Sequence, residues 1–141
     1  MSHKKEREKL YKLIDHKASK VAFNRLAANL RFHCINNNAK TIAITSSVKD
    51  EGKTTVAANL AASLTESNSK VLLVDTDIHH KSLTNVFKSS TTKNIQAVLA
   101  GASAIEEAID HTKIQNLYFL DCTSGVASLP ELVSSEEFIK L

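Results

Sequence analysis

The sequence predicts an α/β fold in which a mainly parallel β-sheet carries helices on its faces. Apolar runs of strand length alternate along the chain with segments of helical periodicity, which is the order of βαβ units. These runs are continuously apolar, as is typical of strands that are buried on both faces. The length of 141 residues suits one domain, and the few Gly and Pro residues argue against a disordered chain.

The predicted elements begin after a polar N-terminal segment. Apolar residues at helical spacing indicate an amphipathic helix over about 18–33, and three consecutive asparagines indicate a loop after it. Short apolar runs predict three strands, at 41–45, 71–75 and 117–121. Helices are predicted at 53–65, in NIQAVLAG and SAIEEAID, which are separated at Gly101, and in a last segment that begins at SEEFIKL.

The positive charge of the chain is concentrated at its N-terminus. Residues 1–20 contain seven Lys or Arg against three Asp or Glu, within a net charge of +3. We expect residues 1–20 to form a basic leader and residues 21–141 to form the folded domain. Such a leader can contact nucleic acid or an acidic membrane surface, but charge runs are more often solvated faces, and no nucleic-acid partner is expected. The sequence contains neither a membrane span nor the apolar core of a signal peptide, which predicts a cytoplasmic protein.

The segment TSSVKDEGKTT, residues 45–55, lies between a predicted strand and a predicted helix. Gly52, Lys53 and Thr54 match the end of a phosphate-binding loop, whereas Ser47 occupies the position of the usual first glycine. In such a loop, glycine allows close approach of the backbone, lysine reaches the β- and γ-phosphates, and the hydroxyl is offered to Mg²⁺. The alternative is a charged surface turn, but the flanking strand and helix favour a phosphate site.

Two carboxylates follow the second predicted strand. Asp75 and Asp77 lie in VLLVDTD, just past the end of the apolar run. In open α/β sheets, ligands bind at this edge, and the phosphate loop is expected at the same edge. Because carboxylates repel a triphosphate unless a cation intervenes, the pair predicts Mg²⁺. The alternative is a turn in which aspartate caps a helix.

Four segments together resemble one family. The combination of TSSVKDEGKTT, VLLVDTDIHHKSL, NIQAVLAG and LPELVSS is similar to the bacterial tyrosine kinases of capsular and exopolysaccharide biosynthesis, which are P-loop proteins related to the MinD and ParA ATPases. The similarity runs from Val21 to the C-terminus. The resemblance implies a three-layer P-loop NTPase-like fold, a P-loop nucleotide-binding domain over residues 21–141, and ATP and Mg²⁺ as cofactors.

The resemblance also implies roles for individual residues. In the family, serine and glutamate are usual at the positions of Ser47 and Glu51, and an apolar strand is followed by Asp-x-Asp, as here at Asp75 and Asp77. The implied nucleotide-binding residues are Ser47, Glu51, Gly52, Lys53, Thr54 and Thr55. The implied Mg²⁺ ligands are Thr54, Asp75 and Asp77. The implied catalytic residues are Lys53, Asp75 and Asp77, the two aspartates sharing metal ligation and activation of the tyrosine hydroxyl.

Two features separate the chain from its relatives. MinD and ParA proteins carry a signature lysine followed by two glycines, where this chain has Val48, Lys49 and Asp50, so these positions point towards the kinases. The kinases also carry a later strand that ends in the Walker B aspartate, and then a tyrosine cluster. Asp121, which ends LYFLD, is interpreted as preceding that motif. The chain is therefore expected to be truncated before Walker B and its fold to be incomplete.

The predicted function is that of an ATP-dependent protein tyrosine autokinase that regulates capsular or exopolysaccharide biosynthesis. The resemblance implies a transmembrane polysaccharide copolymerase or adaptor as partner, and a cytoplasmic location at the inner face of the cell membrane through that adaptor. The family's ring-assembly motif, Glu-x-x-Arg-x-x-Arg, is replaced by Val21, Asn24 and Ala27, so these residues do not support a homo-oligomer of that kind. Two alternatives remain open: a nucleotide-binding fragment without kinase activity, and a MinD- or ParA-like ATPase.

Overall fold

The computed structural model describes residues 17–77, 82–87 and 94–121. The chain divides into two compact units, one formed by residues up to Val71 with Ile114–Leu117, and the other by Leu72–Lys113 with residues from Tyr118 onwards. The helices of the described residues are α1 (Lys17–Asn37), α2 (Lys53–Thr65), α3 (Ser82–Phe87), α4 (Ile95–Leu99) and α5 (Ile105–Ala108). Their strands are β1 (Val71–Val74), β2 (Ile109–His111) and β3 (Leu117–Leu120).

Helix α1 continues about one turn beyond its predicted C-terminus. Asn38, the residue directly after α1, has a left-handed backbone with φ of 51°. The Asn38 N–H donates to the Ile35 carbonyl (3.3 Å), and the Ala39 N–H donates to the Cys34 carbonyl (2.9 Å). This is the hydrogen-bond pattern of a left-handed C-cap, a conformation that asparagine tolerates better than most residues. Only the last of the three asparagines therefore stops the helix. The predicted boundary between leader and domain, at residues 20 and 21, falls within α1 and stays a prediction.

Helix α2 spans Lys53–Thr65, as predicted, and packs against α1. Small side chains form much of its buried face, where Ala58 is fully buried and Ala61 is nearly so. Ala27 in α1 is also fully buried. Small residues at a helix contact allow the two axes to approach closely. Because α1 and α2 belong to the same unit, this packing fixes the orientation of α2 within that unit.

Glu66, directly after α2, makes polar contacts with α1. The Lys20 ammonium lies 2.9 Å from Glu66 Oε1, and the Asn24 amide donates to Glu66 Oε2 at 2.6 Å. Glu66 is 42% exposed and Lys20 is 53% exposed, so water screens the pair. The contacts join the C-terminal end of α2 to the first turns of α1.

The prediction of a strand at residues 41–45 is wrong. Residues 39–46 have no regular secondary structure, and most of their side chains, including Ile42, are exposed. A strand requires a neighbour for its backbone N–H and C=O groups, and the sheet of the described residues has the order β1-β3-β2, without residues 41–45. An apolar run is therefore not sufficient to form a strand where no neighbouring strand pairs with it.

Strand β3 is the central strand of the described sheet. The Val71 N–H donates to the Asn116 carbonyl (2.9 Å), and the Asp75 N–H donates to the Leu120 carbonyl (3.0 Å), so β1 and β3 run parallel. Strand β2 pairs antiparallel with β3, with Ile109 opposite Leu120. The sheet is thus mixed, and its parallel pair consists of the two strands predicted at 71–75 and 117–121.

The core of the second unit forms around β3. Phe119 and Leu120 are almost completely buried, and Leu120 packs with Ile95 and Ala108 from helices α4 and α5. The ring of Phe87 in α3 lies 5.5 Å from the ring of Phe119. These contacts cover β3 with helical side chains, which agrees with the predicted burial of this strand.

Strand β1 departs from the prediction of burial on both faces. Its residues alternate between intermediate and exposed positions, with Leu72 42% exposed and Val74 38% exposed. The two short helices predicted on either side of Gly101 are confirmed as α4 and α5, and Gly101 has a left-handed φ of 68°. Helix α3 and strand β2 were not predicted. The helix predicted in SEEFIKL lies outside the described residues.

Candidate functional site

The loop between residues 46 and 52 turns sharply before α2. Asp50 and Gly52 both have left-handed backbones, with φ of 65° and 91°. Glycine adopts this conformation without steric cost, and aspartate adopts it more readily than most other residues. A Cβ at position 52 would meet no atom within 4 Å, so the space beside Gly52 is open. The backbone conformation, rather than crowding, therefore favours glycine here.

The N-terminus of α2 presents backbone donors beside this turn. The first helical hydrogen bond runs from the Val56 N–H to the Gly52 carbonyl (2.9 Å). The N–H groups of Lys53, Thr54 and Thr55 precede it and have no intrahelical acceptor. No side chain caps this end of the 13-residue helix. Free N–H groups and the positive end of the helix dipole together favour an anion at this position.

The Lys53 side chain folds back over the loop. Its ammonium donates to Ser46 Oγ at 2.8 Å and to the Val48 carbonyl at 3.4 Å. The Ser46 hydroxyl in turn donates to the same Val48 carbonyl at 2.7 Å. Both of these acceptors are uncharged oxygens, so a phosphate would compete with them strongly for the ammonium. The arrangement keeps a cation beside the N-terminus of α2.

Glu51 faces the beginning of the loop. Its Oε2 atom accepts hydrogen bonds from the N–H groups of Ser47 (3.1 Å) and Val48 (3.4 Å). The six residues predicted to bind nucleotide, Ser47, Glu51, Gly52, Lys53, Thr54 and Thr55, therefore belong to one turn and the first turn of α2. Within that group, the Ser47 N–H donates a hydrogen bond to the Glu51 carboxylate.

Asp75 is a buried carboxylate in the second unit, directly after β1. It is 4% exposed, its Oδ1 accepts from the Asp77 N–H (3.0 Å), and its Oδ2 is buried without a hydrogen-bond partner. The pKa of Asp75 is raised to about 6, mainly by burial and also by the nearby Asp121 and Asp77 carboxylates, against the lowering effect of the hydrogen bond from the Asp77 N–H. Asp77 itself is exposed.

Asp121 is a neighbour of Asp75 that the sequence interpretation did not assign to the site. Asp75 follows β1 and Asp121 follows β3, and these strands are parallel neighbours. The carboxyl ends of parallel neighbours meet at one sheet edge, which is where ligands bind in open α/β sheets. Pairing the apolar runs 71–75 and 117–121 in parallel would have revealed this proximity from the sequence.

The donor set around Asp75 fits a magnesium ion that is completed by other ligands. Within residues 17–77, 82–87 and 94–121, no group of three or more His, Cys, Asp or Glu side chains is arranged to hold a metal. Mg²⁺ at phosphate-binding sites commonly uses one or two carboxylates, with water and phosphate oxygens as the remaining ligands. The unpartnered, buried Oδ2 of Asp75 is suited to be one of these carboxylate ligands.

In that same part of the chain, no helix is long and apolar enough to cross a bilayer.

A protein-family profile described as an AAA domain matches residues 39–138, which include the loop, α2 and the aspartates. The chain belongs to this AAA domain family. Its relatives include the tyrosine-protein kinase YwqD of Bacillus subtilis, which is 30% identical over 114 residues. That match covers 81% of the chain and 48% of YwqD, so the chain spans about half the length of this relative.

Two solved structures resemble this AAA domain protein. The BceF tyrosine kinase domain has a TM-score of 0.76 and 25% identity, and the match covers 86% of the chain and 48% of that domain. The chimerical protein CapA2B2 has a TM-score of 0.70 and 26% identity, with 84% of the chain and 52% of CapA2B2 covered. The likeness confirms the predicted family resemblance and the predicted P-loop NTPase-like α/β fold.

Proposed function

We propose that this chain binds ATP and is the nucleotide-binding part of a protein tyrosine autokinase of capsular or exopolysaccharide biosynthesis. The observation that carries the proposal is the uncapped N-terminus of α2, where Lys53 and a left-handed Gly52 accompany three amides without intrahelical acceptors. This combination of helix dipole, backbone donors and cation is what a phosphate chain requires. Membership of the AAA domain family and likeness to tyrosine kinases support ATP as the phosphate ligand.

The loop residues have separate roles in this proposal. The amides of Lys53, Thr54 and Thr55 hold the phosphate oxygens, while Gly52 keeps the approach free of a side chain. The Lys53 ammonium leaves Ser46 Oγ and the Val48 carbonyl for the β- and γ-phosphates. In phosphoryl transfer, positioning and charge neutralisation supply most of the catalysis, so Lys53 is proposed as catalytic through its charge.

Asp75 and Asp77 are proposed as catalytic carboxylates and, with Thr54, as Mg²⁺ ligands. The assignment of these three rests on the motif resemblance, together with the orphaned Oδ2 of Asp75. When bound, Mg²⁺ would neutralise charge on the phosphates. Between them, Asp75 and Asp77 would hold the metal and accept the proton of a tyrosine hydroxyl.

The proposal extends to partner and location. A transmembrane polysaccharide copolymerase or adaptor would hold the protein at the cytoplasmic face of the membrane, as the family resemblance implies. Asn24 and Ala27 occupy the positions where the family carries its arginines, and here they contribute to α1 beside α2, so these residues do not support a ring of the family's kind.

Kinase activity is tested with labelled ATP, Mg²⁺ and a tyrosine-containing peptide polymer. The peptide is needed because the chain itself has only Tyr11 and Tyr118 as tyrosine acceptors. We expect label in phosphotyrosine with the unaltered chain and none with Lys53→Ala. Lys49→Ala is the matched control, because it removes the same charge from an exposed position of the same loop, and it should retain the activity.

The other outcomes separate the alternative functions. ATP binding that depends on Lys53, without phosphotyrosine, would identify a nucleotide-binding unit rather than a kinase. ATP hydrolysis stimulated by DNA or lipid would identify a MinD- or ParA-like ATPase. Equal ATP affinity of the unaltered chain and Lys53→Ala would contradict the assignment of the loop.

A further inference from the structure

Glu51 connects the beginning and the end of the phosphate loop. Its Oε2 atom accepts from the N–H groups of Ser47 and Val48, at 3.1 and 3.4 Å, and we call this pair of contacts the Glu51 bridge. Asp50 and Gly52, on either side of Glu51, both have left-handed backbones. Between these two left-handed residues, the Glu51 side chain reaches back to the backbone of residues 47 and 48.

The Glu51 carboxylate does not occupy the expected phosphate position. The donors expected for phosphate are the amides of Lys53, Thr54 and Thr55, at an end of α2 that no side chain caps. The Glu51 bridge instead uses amides from the opposite end of the loop. An anion can therefore bind at α2 without displacing Glu51 from its partners.

The residues that Glu51 holds also position Lys53. The Val48 carbonyl accepts from the Lys53 ammonium (3.4 Å) and from the Ser46 hydroxyl (2.7 Å), while Ser46 Oγ accepts from Lys53 (2.8 Å). Val48 is thus fixed through its N–H by Glu51 and through its carbonyl by the Lys53 ammonium and the Ser46 hydroxyl. Loss of the Glu51 bridge would leave Val48 held only through its carbonyl. Carboxylate acceptors make the stronger class of hydrogen bond to backbone N–H groups, so the bridge can stabilise a single loop shape.

We propose that Glu51 is a positioning residue for the nucleotide: it holds Ser47 and Val48, and thereby the loop and Lys53, without touching the nucleotide itself. This role differs from the direct nucleotide contact that the motif resemblance implies for Glu51. It rests on the proposed function only in taking a nucleotide as the ligand of the loop. A carboxylate that faced the phosphates would repel them, and its removal would strengthen binding, so the two roles predict changes of opposite sign.

The proposal is tested by titrating the 141-residue chain with ADP and Mg²⁺ in a calorimeter. Glu51→Ala removes the acceptor and should weaken ADP binding by about tenfold, because the loop then has to be ordered when the ligand binds. Glu51→Gln keeps an acceptor oxygen and should remain within about threefold of the unaltered chain. Asp50→Asn is the matched control: it removes the same charge from the neighbouring residue, and asparagine tolerates the left-handed backbone.

A second readout needs no nucleotide. Hydrogen exchange at the Ser47 and Val48 amides should be slow in the unaltered chain and in Glu51→Gln, and faster in Glu51→Ala. Failure of the unaltered chain to bind ADP would contradict the proposed function, whereas the exchange measurement tests the Glu51 bridge independently. The positioning role is overturned if Glu51→Ala binds ADP as tightly as the unaltered chain or more tightly, or if Glu51→Gln binds as weakly as Glu51→Ala.

Discussion

Replacement of Asp75 by asparagine is expected to stabilise the protein at neutral pH. The carboxylate is 4% exposed, its Oδ2 has no hydrogen-bond partner, and Asp121 and Asp77 add like charge. Asparagine has nearly the same shape and can keep the hydrogen bond from the Asp77 N–H through its own oxygen. The substitution therefore removes a buried charge without opening a cavity.

The magnitude follows from the pKa of Asp75, which burial raises from 3.8 to about 6. A shift of about two units corresponds to about 3 kcal/mol, at about 1.36 kcal/mol per unit. Between these two pKa values, the folded protein holds a proton that the unfolded chain releases, so the free energy of unfolding decreases as pH rises through this window. Above it, the full cost of the buried charge is present, and Asp75→Asn is expected to gain about 2–3 kcal/mol.

The assay is urea unfolding followed by circular dichroism, since the chain contains no tryptophan. The gain in unfolding free energy from Asp75→Asn should be largest at about pH 7.5 and should vanish below about pH 3, where Asp75 is protonated in both the folded and the unfolded state of the natural chain. Asp77→Asn is the control, and because that side chain is exposed, its effect should be much smaller. A loss of stability in Asp75→Asn at neutral pH would refute the reasoning. A gain that does not depend on pH would also refute it.

Two further substitutions test contacts away from the loop. Asn94→Ala should lower the free energy of unfolding by about 1 kcal/mol, because Asn94 caps α4 by accepting hydrogen bonds from the Gln96 and Ala97 N–H groups. Asn94→Asp keeps an acceptor oxygen and should retain the cap. Urea unfolding measures the stability of both variants. Glu66→Gln should lower the free energy of unfolding by about 0.5 kcal/mol. The hydrogen bond from Lys20 is the main cause of the lowered pKa of Glu66, but water screens the pair, so the loss is small. The stability that the Glu66 carboxylate contributes should be present above the usual glutamate pKa and should disappear as pH falls through the lowered pKa of Glu66. Equal stability of Glu66→Gln and the natural chain at neutral pH would contradict this prediction.

Local sequence signals predicted the elements that depend on local interactions. Helix α2 begins at Lys53 and ends at Thr65, as predicted, because the left-handed Gly52 sets its start and small apolar residues form its buried face. Strands β1 and β3 agree with the predicted runs to within one residue, since continuous apolar segments bounded by polar residues mark them clearly. In each case the evidence for the element lies within the element or directly beside it.

The failures concern features that depend on distant partners. Residues 41–45 have the composition of a strand but no neighbour in the described sheet, whereas Ile109–His111, which has only one apolar residue, forms a strand because β3 lies beside it. The effect of Asp121 on Asp75 follows from the parallel pairing of β1 and β3, which an apolar run alone does not specify. The Glu51 bridge requires the left-handed backbone of Asp50, a conformation that the residue type permits but does not dictate.

The central claim is that phosphate groups bind at the N-terminus of α2. It is tested most directly by recording backbone amide NMR spectra of the chain during titration with ADP and Mg²⁺. We expect saturable shifts that are largest for Gly52, Lys53, Thr54 and Thr55, and we expect them to be lost in Lys53→Ala but not in Lys49→Ala. Saturable binding whose largest shifts lie outside this turn, or binding that Lys53→Ala leaves unchanged, would contradict it.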